Sequence, residues 1–82
     1  MTANSDMFKR DGLYGVFAIV NSSTGIPVDV MAGMTSAIWL ARKWGAANPG
    51  AEFGYRPATQ TEEDNAHLIQ ADALLEFIDP IV

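Results

Sequence analysis

The rhythm of apolar and polar positions changes several times along the chain. Leu13–Val20, Leu-Tyr-Gly-Val-Phe-Ala-Ile-Val, carries no charge and no proline. Its β-branched and aromatic side chains favour a strand. Near-continuous apolarity in place of alternation predicts a strand buried on both faces or central in its sheet. Asn21-Ser22-Ser23-Thr24-Gly25 follows, a cluster of turn formers that predicts a hairpin loop. The second arm, Ile26–Met31, alternates, so that Ile26, Val28 and Val30 are expected on one face and Pro27, Asp29 and Met31 on the other. Proline cannot donate to a ladder, which assigns this arm to an edge.

From Ser36 to Ala47 the period becomes helical, with Thr35 or Ser36 as N-cap. Ala37, Leu40, Ala41, Trp44 and Ala47 form one stripe at steps of three and four. Gly45 is a candidate early stop, and Asn48-Pro49-Gly50 ends the helix. Ala51–Ala58 predicts a third strand, with Phe53 and Tyr55 on one face and Glu52, Gly54 and Arg56 on the other. Pro57 argues for an edge. A second helix is expected from an N-cap at Thr61, with Asp64 in the capping-box position, to Ile78 ahead of Pro80.

The element order β-β-α-β-α gives an α+β fold: a three-stranded antiparallel sheet in order 2-1-3, with a right-handed crossover through the first helix and two helices packed on it. Met1–Asp11 is polar and aperiodic, which predicts a flexible lead-in with Met7 and Phe8 against the core. Gly12 releases the chain into a single domain, 12–82. At 82 residues, such a domain buries only roughly two-thirds of its unfolded surface. Cysteine is absent, so neither disulfides nor thiolate ligands staple it. Either the core suffices alone or a second subunit covers the remaining apolar surface.

Five basic and ten acidic residues leave a net charge of −5, which argues against direct nucleic-acid binding. The first residues lack the basic flank and apolar run of a signal peptide, and no apolar stretch reaches the length of a membrane span, so a cytoplasmic protein is expected. Asn21-Ser22-Ser23 fits the glycosylation pattern but reads as a turn.

Candidate chemistry is sparse. His67 is the single histidine and reads as a surface residue, and no metal or other cofactor is expected. Ser22, Ser23 and Ser36 have no Gly-x-Ser-x-Gly setting. Glu62, Glu63 and Asp64 point in different directions on a helix and suit its positive end better than acid–base work. Gly12, Gly15 and Gly25 are too scattered to cradle a phosphate.

Two features point instead to protein contact. Trp39 falls opposite the Ala37–Trp44 stripe, on the side of Arg42 and Lys43, where an outward tryptophan among cations has the composition of a hot spot. The alternatives are that another segment covers it or that Lys43 drapes over its ring. The last helix is apolar nearly all round: Ala66, Ile69, Ala73 and Phe77 form one stripe, Leu68, Ala71, Leu75 and Ile78 another, and Leu74 lies between. Such a helix is buried on both sides, or meets a partner or a second copy.

The expectation is a small acidic, non-catalytic interaction module, an inhibitor or adaptor that occupies a partner's surface. Its candidate contact residues are Trp39, Arg42, Lys43, Glu62, Glu63, Asp64, Asp72 and Glu76, with a basic partner surface and a homodimer through the last helix as the contacts expected. A phage-type inhibitor of a nucleic-acid-handling host complex fits the size and charge. The alternative is a small enzyme or ligand-binding subunit with its site between protomers, using Tyr14, Tyr55, Arg56 and His67. A purely structural oligomer subunit is the third reading.

Overall fold

A computed structural model describes residues 14–81. The expected lead-in 1–11, Gly12 and Leu13 at the head of the apolar octet lie outside the described residues. Within them the order is β1 (Val16–Asn21), β2 (Pro27–Ala32), α1 (Met34–Ala47), β3 (Phe53–Pro57), α2 (Gln60–Asp64) and α3 (Ala66–Ala73). The strands form one antiparallel sheet in order β2-β1-β3, an α+β fold. Both outer strands run opposite to β1, so β2 and β3 are parallel to each other and α1 joins them in a split β-α-β unit.

The proline-free strand is central, with Phe17, Ala18 and Ile19 fully buried. On β1, Phe17 and Ile19 face the core formed with α1, while Ala18 faces the other way. The second arm departs from the expected alternation. Phe17 pairs with Met31 and Ile19 with Asp29, which places Met31 and Asp29 on the core face; Val30 pairs with Ala18 on the opposite one. A bulge between Ile19 and Val20 leaves Val28 as the extra residue of β2, and Val28 is buried in the core as well. Ile26, expected to share that face, is exposed.

Asp29 on the core face is accounted for by Trp44. The fully buried indole donates its Nε1–H to Asp29 Oδ2 at 3.1 Å, and Val30 N–H donates to Asp29 Oδ1 at 2.9 Å. Burial pushes this carboxyl above its ordinary pKa, opposed by those two hydrogen bonds, with the charge of Asp79 a smaller upward influence.

Helix α1 starts earlier than Thr35 or Ser36 would place it. Its N-cap is Gly33, at φ 89°, without a side-chain hydrogen bond. Glycine adopts this backbone without a Cβ penalty, and the Gly33 N–H donates to Gly15 O at 2.8 Å across the sheet end. Ala37, Leu40, Ala41 and Trp44 are the buried stripe. The two alanines let the helix approach the strands, and burying Leu40 contributes about 2 kcal/mol. Gly45 does not interrupt the helix. The stop is a turn in which Ala51 N–H donates to Asn48 O at 3.1 Å, with Pro49 and a positive-φ Gly50 at its centre.

The expected single helix to Ile78 is instead two short helices and a turn. Thr59, not Thr61, is the N-cap of α2, and Glu62, not Asp64, completes the capping box. Thr59 Oγ1 accepts from Glu62 N–H at 3.1 Å, and Glu62 Oε1 accepts from Thr59 N–H at 2.9 Å. Asn65, at φ −110° and ψ 22°, breaks the run, and its Nδ2 donates to Thr61 O. Helix α3 packs along β2 and buries Ala73. Beyond it, Phe77 N–H donates to Ala73 O, and the Phe77 ring joins Phe53 and Trp44 in a cluster with centroids 5.3–6.4 Å apart. Asn48, the one buried polar residue among those described, clamps this segment. Its Nδ2 donates to Trp44 O and Ile78 O, and its Oδ1 accepts from Ile78 N–H at 2.7 Å.

Candidate protein-binding surface

The residues expected to meet a partner lie on separate parts of this fold. Trp39 stands outward on α1, 48% exposed, with Lys43 Nζ 5.5 Å from its ring centroid. Half-exposure follows from its place opposite the buried stripe, and the lysine one turn on supplies a cation–π contact. Exposed Arg42 instead lines an open groove of about 460 Å³ between α1 and β3, with Ile38, Ala41, Gly45, Glu52 and Tyr55.

The acidic residues divide into one held internally and four on the surface. Glu62 forms a two-pronged pair with Arg56, Nη1 to Oε1 at 2.7 Å and Nη2 to Oε2 at 2.6 Å. That hydrogen bonding holds the Glu62 carboxyl down at about 2, and it raises the Arg56 guanidinium further above its ordinary value. Since Glu62 also caps α2, its charge is committed to the fold. Glu63, Asp64, Asp72 and Glu76 are exposed, Asp64 accepting a hydrogen bond from Gln60. Glu76 stands at the rim of a smaller pocket with Ile26, Val28 and Phe77.

The C-terminal apolar residues separate by face. Ala73 is buried and Phe77 packs on the core, whereas Leu68, Leu74, Leu75, Ile78 and Ile81 are exposed, Leu75 to 88%. Leu68 on α3 and Leu75 and Ile78 beyond its end are thus left outward, with Asp72 and Glu76 between them in sequence. Within one protomer the polar groups of the alternative reading sit on separate elements: Tyr14 precedes β1, His67 is on α3, and Tyr55 and Arg56 point to opposite faces of β3. Among the described residues no cluster of histidine or carboxylate side chains could hold a metal, and no helix is long and apolar enough to cross a membrane.

One surface escaped residue-by-residue reading. The β1–β3 register pairs Val20 with Gly54 and Ala18 with Arg56, and flanking bonds run from Ser22 N to Glu52 O and from Ala58 N to Val16 O. Even-numbered β3 residues therefore direct their N–H and C=O groups at β1, and Phe53 and Tyr55 direct theirs outward. Pro57 occupies an outward position too, so its missing N–H costs the ladder nothing. Alternating signals at Phe53 and Tyr55 pointed to a strand but not to which side of it is bonded.

No protein-family model matches the chain, and no curated protein or solved structure shows significant similarity to it.

Proposed function

We propose that this chain is a non-catalytic protein-binding module, an inhibitor or adaptor that acts in the cytoplasm by occupying a partner's surface. The observation that carries the reading is the exposure of Leu68, Leu74, Leu75 and Ile78 within one short stretch of chain, interleaved in sequence with Asp72 and Glu76 and preceded by Glu63 and Asp64. Large aliphatic side chains exposed this far mark contact sites more often than isolated surface residues do. Acidic residues along the same stretch of chain fit a partner whose own surface is basic, and they speed encounter at low salt. Proteins that handle nucleic acid offer such surfaces, so a phage-type inhibitor of a host complex of that class is the example this stretch suits.

The test is affinity capture from the native host, followed by reconstitution with the purified partner. Leu75→Ser with Ile78→Ser should abolish the reconstituted complex while the circular dichroism spectrum is kept, and added salt should slow association. Binding indifferent to those substitutions, or turnover of a metabolite without any protein partner, would reject the reading. A second reading rests on the α1–β3 groove, whose volume falls in the range of small-molecule sites and whose polar lining includes Ser22, Arg42, Glu52 and Tyr55. A small molecule that raises the melting temperature of the wild type but not of Arg42→Ala would favour a ligand-binding subunit.

A further inference from the structure

The two margins of the sheet are not equivalent. Helix α3 runs along β2, whereas the outward backbone groups of Phe53 and Tyr55 on β3 have no hydrogen-bond partner among the described residues. An uncovered strand edge is a template for a further strand. We propose that its occupant is a second copy of the same edge, β3 against β3 in antiparallel register about a two-fold axis at Gly54, giving a continuous six-stranded sheet.

The bonding capacity of individual residues selects that register. Centring the pairing on Phe53 would call on the Ala51 N–H, which already donates to Asn48 O. Centring it on Tyr55 would set Phe53 against Pro57, which has no N–H and whose carbonyl accepts from Arg56 Nη1 at 3.2 Å. Centring on Gly54 sets Phe53 of one copy opposite Tyr55 of the other. Every free donor and acceptor of both residues is then used, each bond occurring twice by symmetry. The same register sets the two Gly54 residues face to face, where no side chain intrudes.

Charge agrees with this choice. Gly54 and Arg56 share the face of β3 turned away from α1, and in this register Glu52, the residue before the strand, lies directly opposite Arg56 of the second copy. Charged residues on an edge ordinarily keep strands apart; here their signs are opposite and fall across from each other. Arg56 bonds Glu62 and Pro57 through three of its N–H groups, which leaves Nε and one Nη2 hydrogen for Glu52 of the second copy. On the other face, Tyr55 meets Phe53 of the second copy beside the groove lined by Ile38 and Ala41. A two-fold normal to the sheet keeps both α1 helices on that side.

This contact is distinct from the exposed C-terminal apolar residues, and one set of measurements separates them. Sedimentation of the full chain should show a concentration-dependent dimer, and hydrogen exchange of the Phe53 and Tyr55 amides should slow as the dimer forms. Glu52→Arg, which puts two guanidinium groups opposite each other, should weaken dimerisation at least tenfold, and Glu63→Arg, the same charge change elsewhere, should not. Gly54→Cys should form an intermolecular disulfide on air oxidation, because opposed residues of a non-hydrogen-bonded pair have Cα atoms about 4.5 Å apart. The chain has no cysteine of its own, and a Cβ at Gly54 meets only Ser22 Oγ at 3.4 Å. Ala46→Cys on the exposed side of α1 serves as the control that should stay uncrosslinked.

A strict monomer would overturn the proposal and leave the edge to an extended segment of another protein. A dimer indifferent to Glu52→Arg and uncrosslinked through Gly54→Cys would overturn it equally, placing self-association elsewhere, such as the C-terminal apolar residues.

Discussion

Replacing Asn48 with alanine removes the clamp between the end of α1 and the C-terminal segment. Three hydrogen bonds go: Nδ2 to Trp44 O at 3.0 Å, Nδ2 to Ile78 O at 3.1 Å, and Ile78 N–H to Oδ1 at 2.7 Å. At about 0.5–1.5 kcal/mol net for each, the sum spans about 1.5–4.5 kcal/mol. The two Ile78 groups regain water if the segment lifts, so the expected loss is about 2–3 kcal/mol. For a domain of this size that lowers the melting temperature by about 10–20 °C.

Asn48→Asp should be worse than alanine at neutral pH. It keeps the acceptor for Ile78 N–H but turns an oxygen toward the Trp44 and Ile78 carbonyls, at a site only 9% exposed. Urea unfolding gives the free energies, and hydrogen exchange of the Ile78 amide reports the local release. Phe77→Ala, which removes the other anchor of the same segment, should couple with Asn48→Ala in a double-mutant cycle. An Asn48→Ala protein within about 0.5 kcal/mol of wild type, with Ile78 exchange unchanged, would refute the clamp.

Three further outcomes follow from the side-chain pairs. Glu62 titrates at about 2 in the folded chain against an ordinary 4.5, so its contribution is complete above 4.5 and is lost as pH falls toward 2. The full shift corresponds to about 3 kcal/mol. Arg56 is 40% exposed, and solvent screening reduces that to about 1–2 kcal/mol. Glu62→Gln should lose this amount at neutral pH, and acid titration followed by circular dichroism should close the gap between the two proteins. Asp29 has the opposite sign: its raised folded pKa means stability falls as pH rises through its ordinary value toward the folded one. Asp29→Asn, which retains an acceptor for Trp44 Nε1–H, should match or exceed wild type at neutral pH. Asp29→Ala should lose about 1–3 kcal/mol by stranding that donor, a difference read by urea melts. Trp39→Ala should cost about 1 kcal/mol or less, the scale of an exposed cation–π contact, and a molten mutant would place Trp39 in the core instead.

Strand order could be read from Pro27 and Pro57 flanking a proline-free run, because proline's missing donor is a local property with a topological consequence. The buried stripe of α1 could be read for a similar reason: its period needs only neighbours three and four residues away. The faces of β2 could not, since strict alternation assumes a regular ladder and the bulge at Val28 adds one residue. Nor does anything near Asp29 announce that Trp44, fifteen residues on, supplies the donor that holds its carboxylate against the core. The last helix misled because its apolar spacing runs on through Asn65, while the break is decided by Thr59–Glu62 capping upstream and by the hold of Asn48 on Ile78 downstream. Trp39 was placed outward by its angle on the helix, but the open edge at Phe53 and Tyr55 depends on which neighbour β3 bonds, which no single segment encodes.

The supernumerary residue in β2 also decides where the hairpin can change length. Its connecting loop is fastened at several points: Gly25 N–H donates to Asn21 O, Asn21 N–H to Ile26 O, and Ser23 N–H to Asn21 Oδ1. Removing a residue there would unfasten the loop. Removing Val28 would leave Val20 against Pro27 and Ile19 against Asp29 as an unbroken ladder, with the indole's acceptor still in place. Shortening by one amino acid is therefore better tolerated in mid-strand than in the turn, at the expense of one valine's burial, about 2 kcal/mol in a urea melt.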